Sequence, residues 1–168
     1  PGLEASENFK PSALTYSNGV QAVEVEVDIG TGKVRFLNYV VVSDCGTLIN
    51  PMIVDGQIAG GVVHGIGNAL FEWMGYDESG QPITTNFGEY TMPTATELIE
   101  LDLQYQHSPT PLNPLGVKGV GETGTVPAAA AIVSAVENAL EPFGARINDY
   151  PVQPAAIVDM VRAAEVQR

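Results

Sequence analysis

The chain is short of positive charge, of cysteine and of long apolar runs. Seven lysines and arginines stand against 20 aspartates and glutamates, leaving a formal net charge of -13 at pH 7. Phosphate backbones and anionic membrane surfaces are therefore poor partners, and neither nucleic-acid nor membrane binding is expected. The one cysteine, Cys45, excludes an internal disulfide and reads most simply as a small buried apolar residue. A reducing cytoplasm fits it. No stretch reaches the ~18 consecutive apolar residues of a membrane span, and no signal peptide is visible. Because the chain opens on Pro1 rather than methionine, it is expected to be processed or to be a piece of a longer one. What is present is 168 residues, 45% apolar and with 18 glycines. That suits about one domain whose core buries roughly two thirds of the unfolded surface.

Periodicity divides the chain into elements. Residues 1 to 19 carry turn formers and read as an entering arm. From Val20 to Ile29, Val23, Val25, Val27 and Ile29 share one face and Glu24, Glu26 and Asp28 the other, the pattern of a half-exposed strand. Gly30 to Lys33 is a hairpin turn, and Val34 to Ser43 is a second strand, apolar on both faces toward its end. After the loop Asp44 to Pro51, a helix is predicted over Val54 to Trp73 although it holds Gly56, Gly60, Gly61, Gly65 and Gly67, each costing about 1 kcal/mol against alanine. Such a glycine stripe admits the close approach of another backbone or of a flat ligand. His64 lies beside it, either as a packing residue or as a donor facing a ligand. Short strands are predicted at Pro82 to Asn86 and Leu98 to Tyr105, and a short last one at Arg146 to Tyr150. An alanine-rich helix, with Ala128, Ile132, Val133, Val136 and Leu140 on one face, precedes a terminal helix over Pro154 to Glu165. The fold class expected is α+β: a mixed sheet built from hairpins, with the glycine-rich and alanine-rich helices packed on it.

The most informative stretch is Gly116 to Pro127, G-V-K-G-V-G-E-T-G-T-V-P, which runs directly into the alanine-rich helix. Its first eight residues match the phosphate-binding pattern G-x4-G-K-[ST] except that Glu122 stands in the lysine's place, and a carboxylate there repels phosphate. Gly119, Gly121 and Gly124 match G-x-G-x-x-G, but the dinucleotide reading needs a strand just before the loop. His107 to Gly116 holds three prolines instead. Nucleotide binding is therefore disfavoured. Glu122 is then either an idle acid near a helix N-terminus, where the dipole welcomes it, or a carboxylate presented by a flexible loop.

The ordered blocks V-E-V-E-V-D-I-G-T-G-K-V, D-C-G-T-L-I-N-P, G-Q-I-A-G-G-V-V-H-G-I-G-N-A-L, Y-D-E-S-G-Q and P-L-G-V-K-G-V-G-E-T-G closely resemble the C-terminal portion of the molybdopterin-binding large subunit of the xanthine dehydrogenase, aldehyde oxidase and carbon monoxide dehydrogenase family. The resemblance covers about Pro1 to Val161. It implies that residues 1–168 form a single domain, the last molybdenum-cofactor-binding portion of a longer subunit. The intact enzyme would be a molybdenum hydroxylase that oxidises an aldehyde, N-heterocycle or similar carbon with water as the oxygen source, while this portion would be inactive alone. Glu122 corresponds to the family's catalytic base, taking a proton from the water-derived oxygen that attacks the substrate carbon. Lys118, Gly119, Val120 and Gly121 would line the metal pocket through main-chain atoms, and no side chain of this chain would ligate the metal. His64 stands where many members carry a glutamine that reaches the pterin or a metal-bound oxygen. The implied cofactor is a molybdenum-pterin group in its cytosine dinucleotide form, with iron-sulfur clusters and FAD on partner subunits. The partners would be the rest of the large subunit, an iron-sulfur subunit and a flavin subunit. The competing expectation is a non-catalytic packing module. The two differ in one respect: a piece of the enzyme leaves the glycine-rich surface around Glu122 and His64 uncovered, whereas a self-sufficient module fills it with its own side chains.

Overall fold

A computed structural model describes residues 2–166 of the chain. Strands β1 (Asn18–Val27) and β2 (Val34–Asp44) form an antiparallel hairpin, and β3 (Asp102–Tyr105) joins β2 in parallel to complete a sheet of order β1-β2-β3. Helices α1 (Pro51–Ile66), α2 (Ala128–Ala139) and α3 (Pro154–Val166) complete the α+β architecture expected from the sequence. The sheet is mixed, but it contains a single hairpin.

Alternation in β1 follows its sequence as far as Val27: Val23, Val25 and Val27 are half-buried, while Glu24 and Glu26 face solvent; the strand ends there, and Ile29, expected on the inner face, is exposed. On β2 the inward residues are Phe36, Tyr39 and Val41, and an odd spacing separates the first two. A bulge between the pairs Glu24–Asn38 and Val25–Phe36 absorbs the extra residue, Leu37. Without it, one end of β2 would turn its apolar set to water. The burial of β2 rises toward Asp44, which leaves the hairpin with an exposed turn and a buried base.

Helix α1 begins three residues earlier than its periodicity suggests, because Asn50 caps it by accepting the Ile53 N–H at 3.3 Å and Pro51 occupies the first position. Its last turn is π-helical, Gly67–Phe71. The buried residues Val54, Ile58, Val62 and Ile66 define its inner face. Helix α2 presents Ala128, Ile132, Val136 and Leu140, all fully buried. It packs against β1, and α1 packs against α2. These faces meet Tyr39 and Val41 of the sheet, with Ile157 and Val161 of α3, in one apolar core.

Two expected strands are absent among the described residues. Pro82 to Asn86 holds only an isolated bridge, Tyr76 to Pro82. The backbone there is satisfied locally: Ile83 donates its N–H to the Gly75 carbonyl at 2.9 Å, and Glu89 accepts that of Thr85 at 2.9 Å. Arg146 to Tyr150 is irregular, since the Glu137 carboxylate of α2 takes the Ile147 N–H at 2.9 Å and the Arg146 guanidinium at 2.8 Å. A strand is also shorter than expected where Leu98 to Leu101 precede β3 without pairing.

Candidate functional site

The segment 116–127 is a series of turns held at both ends. At its start Gly116 adopts φ +68, and its carbonyl accepts the N–H groups of Thr47 at 3.1 Å and Thr110 at 3.2 Å. Lys118 donates its N–H to the Cys45 carbonyl at 2.8 Å, and its ammonium pairs with Asp44 Oδ2 at 2.8 Å in a largely enclosed salt bridge. Burial alone would raise the Asp44 carboxyl. The Lys118 ammonium and the N–H groups of Gly46 and Ser108 outweigh it and hold that carboxyl well below the usual carboxylate range. Gly119 donates to the Thr15 carbonyl of the N-terminal arm at 3.0 Å.

At the far end, Thr123 Oγ1 donates to Ser17 Oγ at 2.7 Å, and the Gly124 carbonyl accepts from Gln21 Nε2 at 2.8 Å. Gln21 Oε1 in turn accepts the Tyr39 hydroxyl at 2.6 Å, so a chain of hydrogen bonds links the core to the loop. Gly124 is required by contact: a Cβ there would lie 2.3 Å from the Ile58 carbonyl oxygen. Between the two anchors stand Val120, Gly121 and Glu122. Their N–H groups donate to nothing among the described residues. The Glu122 carbonyl accepts the N–H groups of Thr125 and Val126 at 3.1 Å each, which starts the entry into α2. Its side chain is exposed and has no hydrogen-bond or ion-pair partner among the described residues.

The glycines of α1 divide into two sets. Gly61 and Gly65 face the entry of α2: added Cβ atoms would lie 2.8 Å from the Thr125 nitrogen and 2.2 Å from Ala128 Cβ. Their role is close packing of one backbone on another. Gly56 and Gly60 face open space, with nothing within 4 Å of an added Cβ. His64, one turn beyond Gly60, is exposed on the same face, and its Nδ1 lies 3.2 Å from Thr125 Oγ1. Around this bare stripe Met52 (77%), Val126 (75%) and Ile49 (64%) are largely solvent-exposed. The structure thus brings Glu122, Gly121 and His64 to one side of the chain through Thr125, which bonds both to His64 and to the Glu122 carbonyl. Lys118 and Gly119, by contrast, spend their N–H groups on Cys45 and Thr15.

Three contributors were not singled out by sequence. Gln57 reaches toward the loop, its Oε1 lying 3.9 Å from where a Gly121 Cβ would stand; its place seven residues before His64 put it on the same helical face. Asp44 and Gln21 act through long-range contacts that no local pattern reveals.

Among the described residues no group of three or more His, Cys, Asp or Glu side chains is arranged to hold a metal ion. Bare helix backbone at Gly56 and Gly60, together with the three unused N–H groups of the loop, suits the close approach of a large organic group rich in acceptors. No described helix is long and apolar enough to cross a membrane.

Residues 1–99 match the family model for the molybdopterin cofactor-binding domain. The large subunit of nicotine 6-hydroxylase from Paenarthrobacter nicotinovorans is 42% identical over 158 residues, which is 94% of this chain and 19% of that protein. The large chain of carbon monoxide dehydrogenase from Afipia carboxidovorans is 35% identical over 83% of this chain and 17% of its own length. Among solved structures, quinoline 2-oxidoreductase from Pseudomonas putida 86 superposes with a TM-score of 0.84 at 40% identity, covering 87% of this chain and 19% of that one. The chain spans about a fifth of the length of the curated relatives it matches. It belongs to the molybdopterin cofactor-binding domain family and aligns with a portion of the molybdenum-binding large subunits of the xanthine dehydrogenase, aldehyde oxidase and carbon monoxide dehydrogenase type.

Proposed function

We propose that this chain, as a single domain of residues 1–168, forms one wall of the molybdenum-pterin site of a hydroxylase, and that Glu122 is its catalytic base. The observation that carries the reading is the open face of α1 at Gly56 and Gly60, beside His64 and the exposed Glu122. Packing accounts for Gly61 and Gly65 and for none of this second set, so a self-sufficient packing module leaves half the stripe unexplained. When bound, the molybdenum-pterin group supplies the redox centre for a hydroxylation that takes its oxygen from water. The chain's own residues do the rest. Glu122 accepts the proton lost by the attacking oxygen at one of its carboxylate oxygens. The N–H groups of Val120, Gly121 and Glu122 offer donors to the cofactor's acceptors, Gly56 and Gly60 let it approach the helix backbone, and His64, with Nδ1 taken by Thr125, turns Nε2 outward. Lys118 and Gly119 serve as the loop's fixed root.

Glu122 is exposed in this chain, which assigns the exclusion of water to the rest of the large subunit. Isolated, this portion is inactive. The substrate class is an aldehyde, an N-heterocycle or a similar electrophilic carbon, and the cofactor is the cytosine dinucleotide form. An iron-sulfur subunit and a flavin subunit carry electrons away, in the cytoplasm. Elemental analysis of the native complex containing this chain, paired with turnover on a panel of aldehydes and N-heterocycles, tests the assignment. Molybdenum with turnover of at least one class supports it. A complex free of molybdenum overturns it.

A further inference from the structure

Beneath the glycine loop lies a charged pair that the chemistry above does not use. Asp44 ends β2, and its carboxylate gathers three separate segments: Oδ1 accepts the N–H groups of Gly46 at 2.9 Å and Ser108 at 3.1 Å, and Oδ2 accepts Lys118 Nζ at 2.8 Å. The side chains of Lys118 and Asp44 are only 9% and 10% exposed. Removing two such ions from water costs several kcal/mol each, and an apolar pair of similar volume usually fills such a site at no greater cost. What the ion pair adds is fixed geometry. It joins one atom on the sheet to one atom on the loop, and backbone contacts run alongside: Gly46 bridges to Val117, and Lys118 N–H reaches the Cys45 carbonyl. The approach is so close that a Cβ at Gly46 would lie 2.2 Å from the Gly116 carbonyl oxygen.

Glu122 follows Lys118 by four residues, with Gly119 held on the Thr15 carbonyl at 3.0 Å next to that lysine, and the next anchors beyond it are Thr123 on Ser17 and Gly124 on Gln21. Its own side chain is held by nothing among the described residues. The place of its carboxylate is therefore set by the two ends of a short span, one of them electrostatic. We propose that the buried Asp44–Lys118 pair is a positioning device for Glu122, fixing where the loop presents that carboxylate while neither residue touches substrate or cofactor. The proposal rests on the reading of Glu122 as the base. A displacement of about 1 Å at a reacting group can cost about 100-fold in rate, which is the scale at which such a device would act.

The test uses the intact complex carrying Asp44→Asn together with Lys118→Met. The double variant removes both charges, so no ion is stranded in the interior, and the asparagine Oδ1 still accepts from Gly46 and Ser108. Positioning predicts that kcat per bound molybdenum falls about 100-fold with KM unchanged, and that amide hydrogen exchange quickens across 116–124 but not across α2. Wild-type values of both, either change without the other, or a loss confined to metal content overturns the proposal. Glu122→Gln, run alongside, separates the two ideas. It is expected to lower turnover by about 10²- to 10⁴-fold with exchange at 116–124 unchanged. Turnover surviving in that variant sinks the base assignment, while the exchange readout still decides whether the ion pair holds the loop.

Discussion

At the scale of single residues, Asp44 and Gly124 do more for the site than their local sequence suggests. Asp44→Asn alone leaves the Lys118 ammonium enclosed without a counter-charge, and breaking a buried pair in this way costs about 3–5 kcal/mol. The cost depends on pH. The Asp44 carboxyl is depressed in the folded state, so its contribution is complete above the ordinary carboxyl pKa of about 3.9 and is lost as pH falls toward the lower folded value. Thermal midpoints of the wild-type and Asp44→Asn complexes should therefore differ most near neutrality and converge below about pH 4; a gap that stays constant to strong acid would contradict the pairing. Neither residue's partnership is visible in a local window. Asp44 and Lys118 are 74 positions apart, and Gln21 meets the Gly124 carbonyl across 103. Glu122, by contrast, stood out from its neighbours alone, because a carboxylate is the wrong residue at the lysine position of the phosphate-binding pattern it interrupts.

At the scale of elements, the glycine helix shows what a sequence can say and where it stops. Period and composition announced a helix whose bare side admits close approach, and both features are present. They could not say which glycine meets what. Gly61 and Gly65 touch the entry of α2, whereas Gly56 and Gly60 meet nothing within this chain, and that division depends on how α2 crosses α1. Gly65→Ala should therefore overpack the contact with Ala128 and cost about 1–3 kcal/mol, seen as a lower thermal midpoint. Gly60→Ala has the opposite expectation for the helix itself, a gain of up to about 1 kcal/mol in propensity, yet it should lower the molybdenum content of the complex because its methyl group enters the open face. Full metal loading in Gly60→Ala would count against that face as a cofactor wall. The strands failed for a related reason. Pro82 to Asn86 and Arg146 to Tyr150 have strand-like composition, but the Gly75 carbonyl, Glu89 and Glu137 take their N–H groups from nearby, so no ladder forms. The strand β3 was expected within Leu98 to Tyr105, and its parallel pairing with β2 could not be read from alternation, which is the same in either direction.

At the scale of the whole molecule, the chain reads as one side of something larger. It belongs to the molybdopterin cofactor-binding domain family while spanning about a fifth of its relatives' length. Its surface agrees: Ile49, Met52, Ile53 and Val126 are exposed, as are Glu122 and His64, the two residues that the family resemblance marks for chemistry. The family was legible in five ordered sequence blocks, and the α+β class in periodicity. The exposure of Glu122 was not, because no local pattern tells which side chains of a loop the fold leaves open to solvent. The central claim is that Glu122 is a base at a molybdenum site, and turnover per bound molybdenum in the Glu122→Gln complex tests it most directly. The expected result is full metal content with turnover lowered by about 10²- to 10⁴-fold. Full metal content with wild-type turnover would contradict it and leave the open face as a surface for cofactor binding alone.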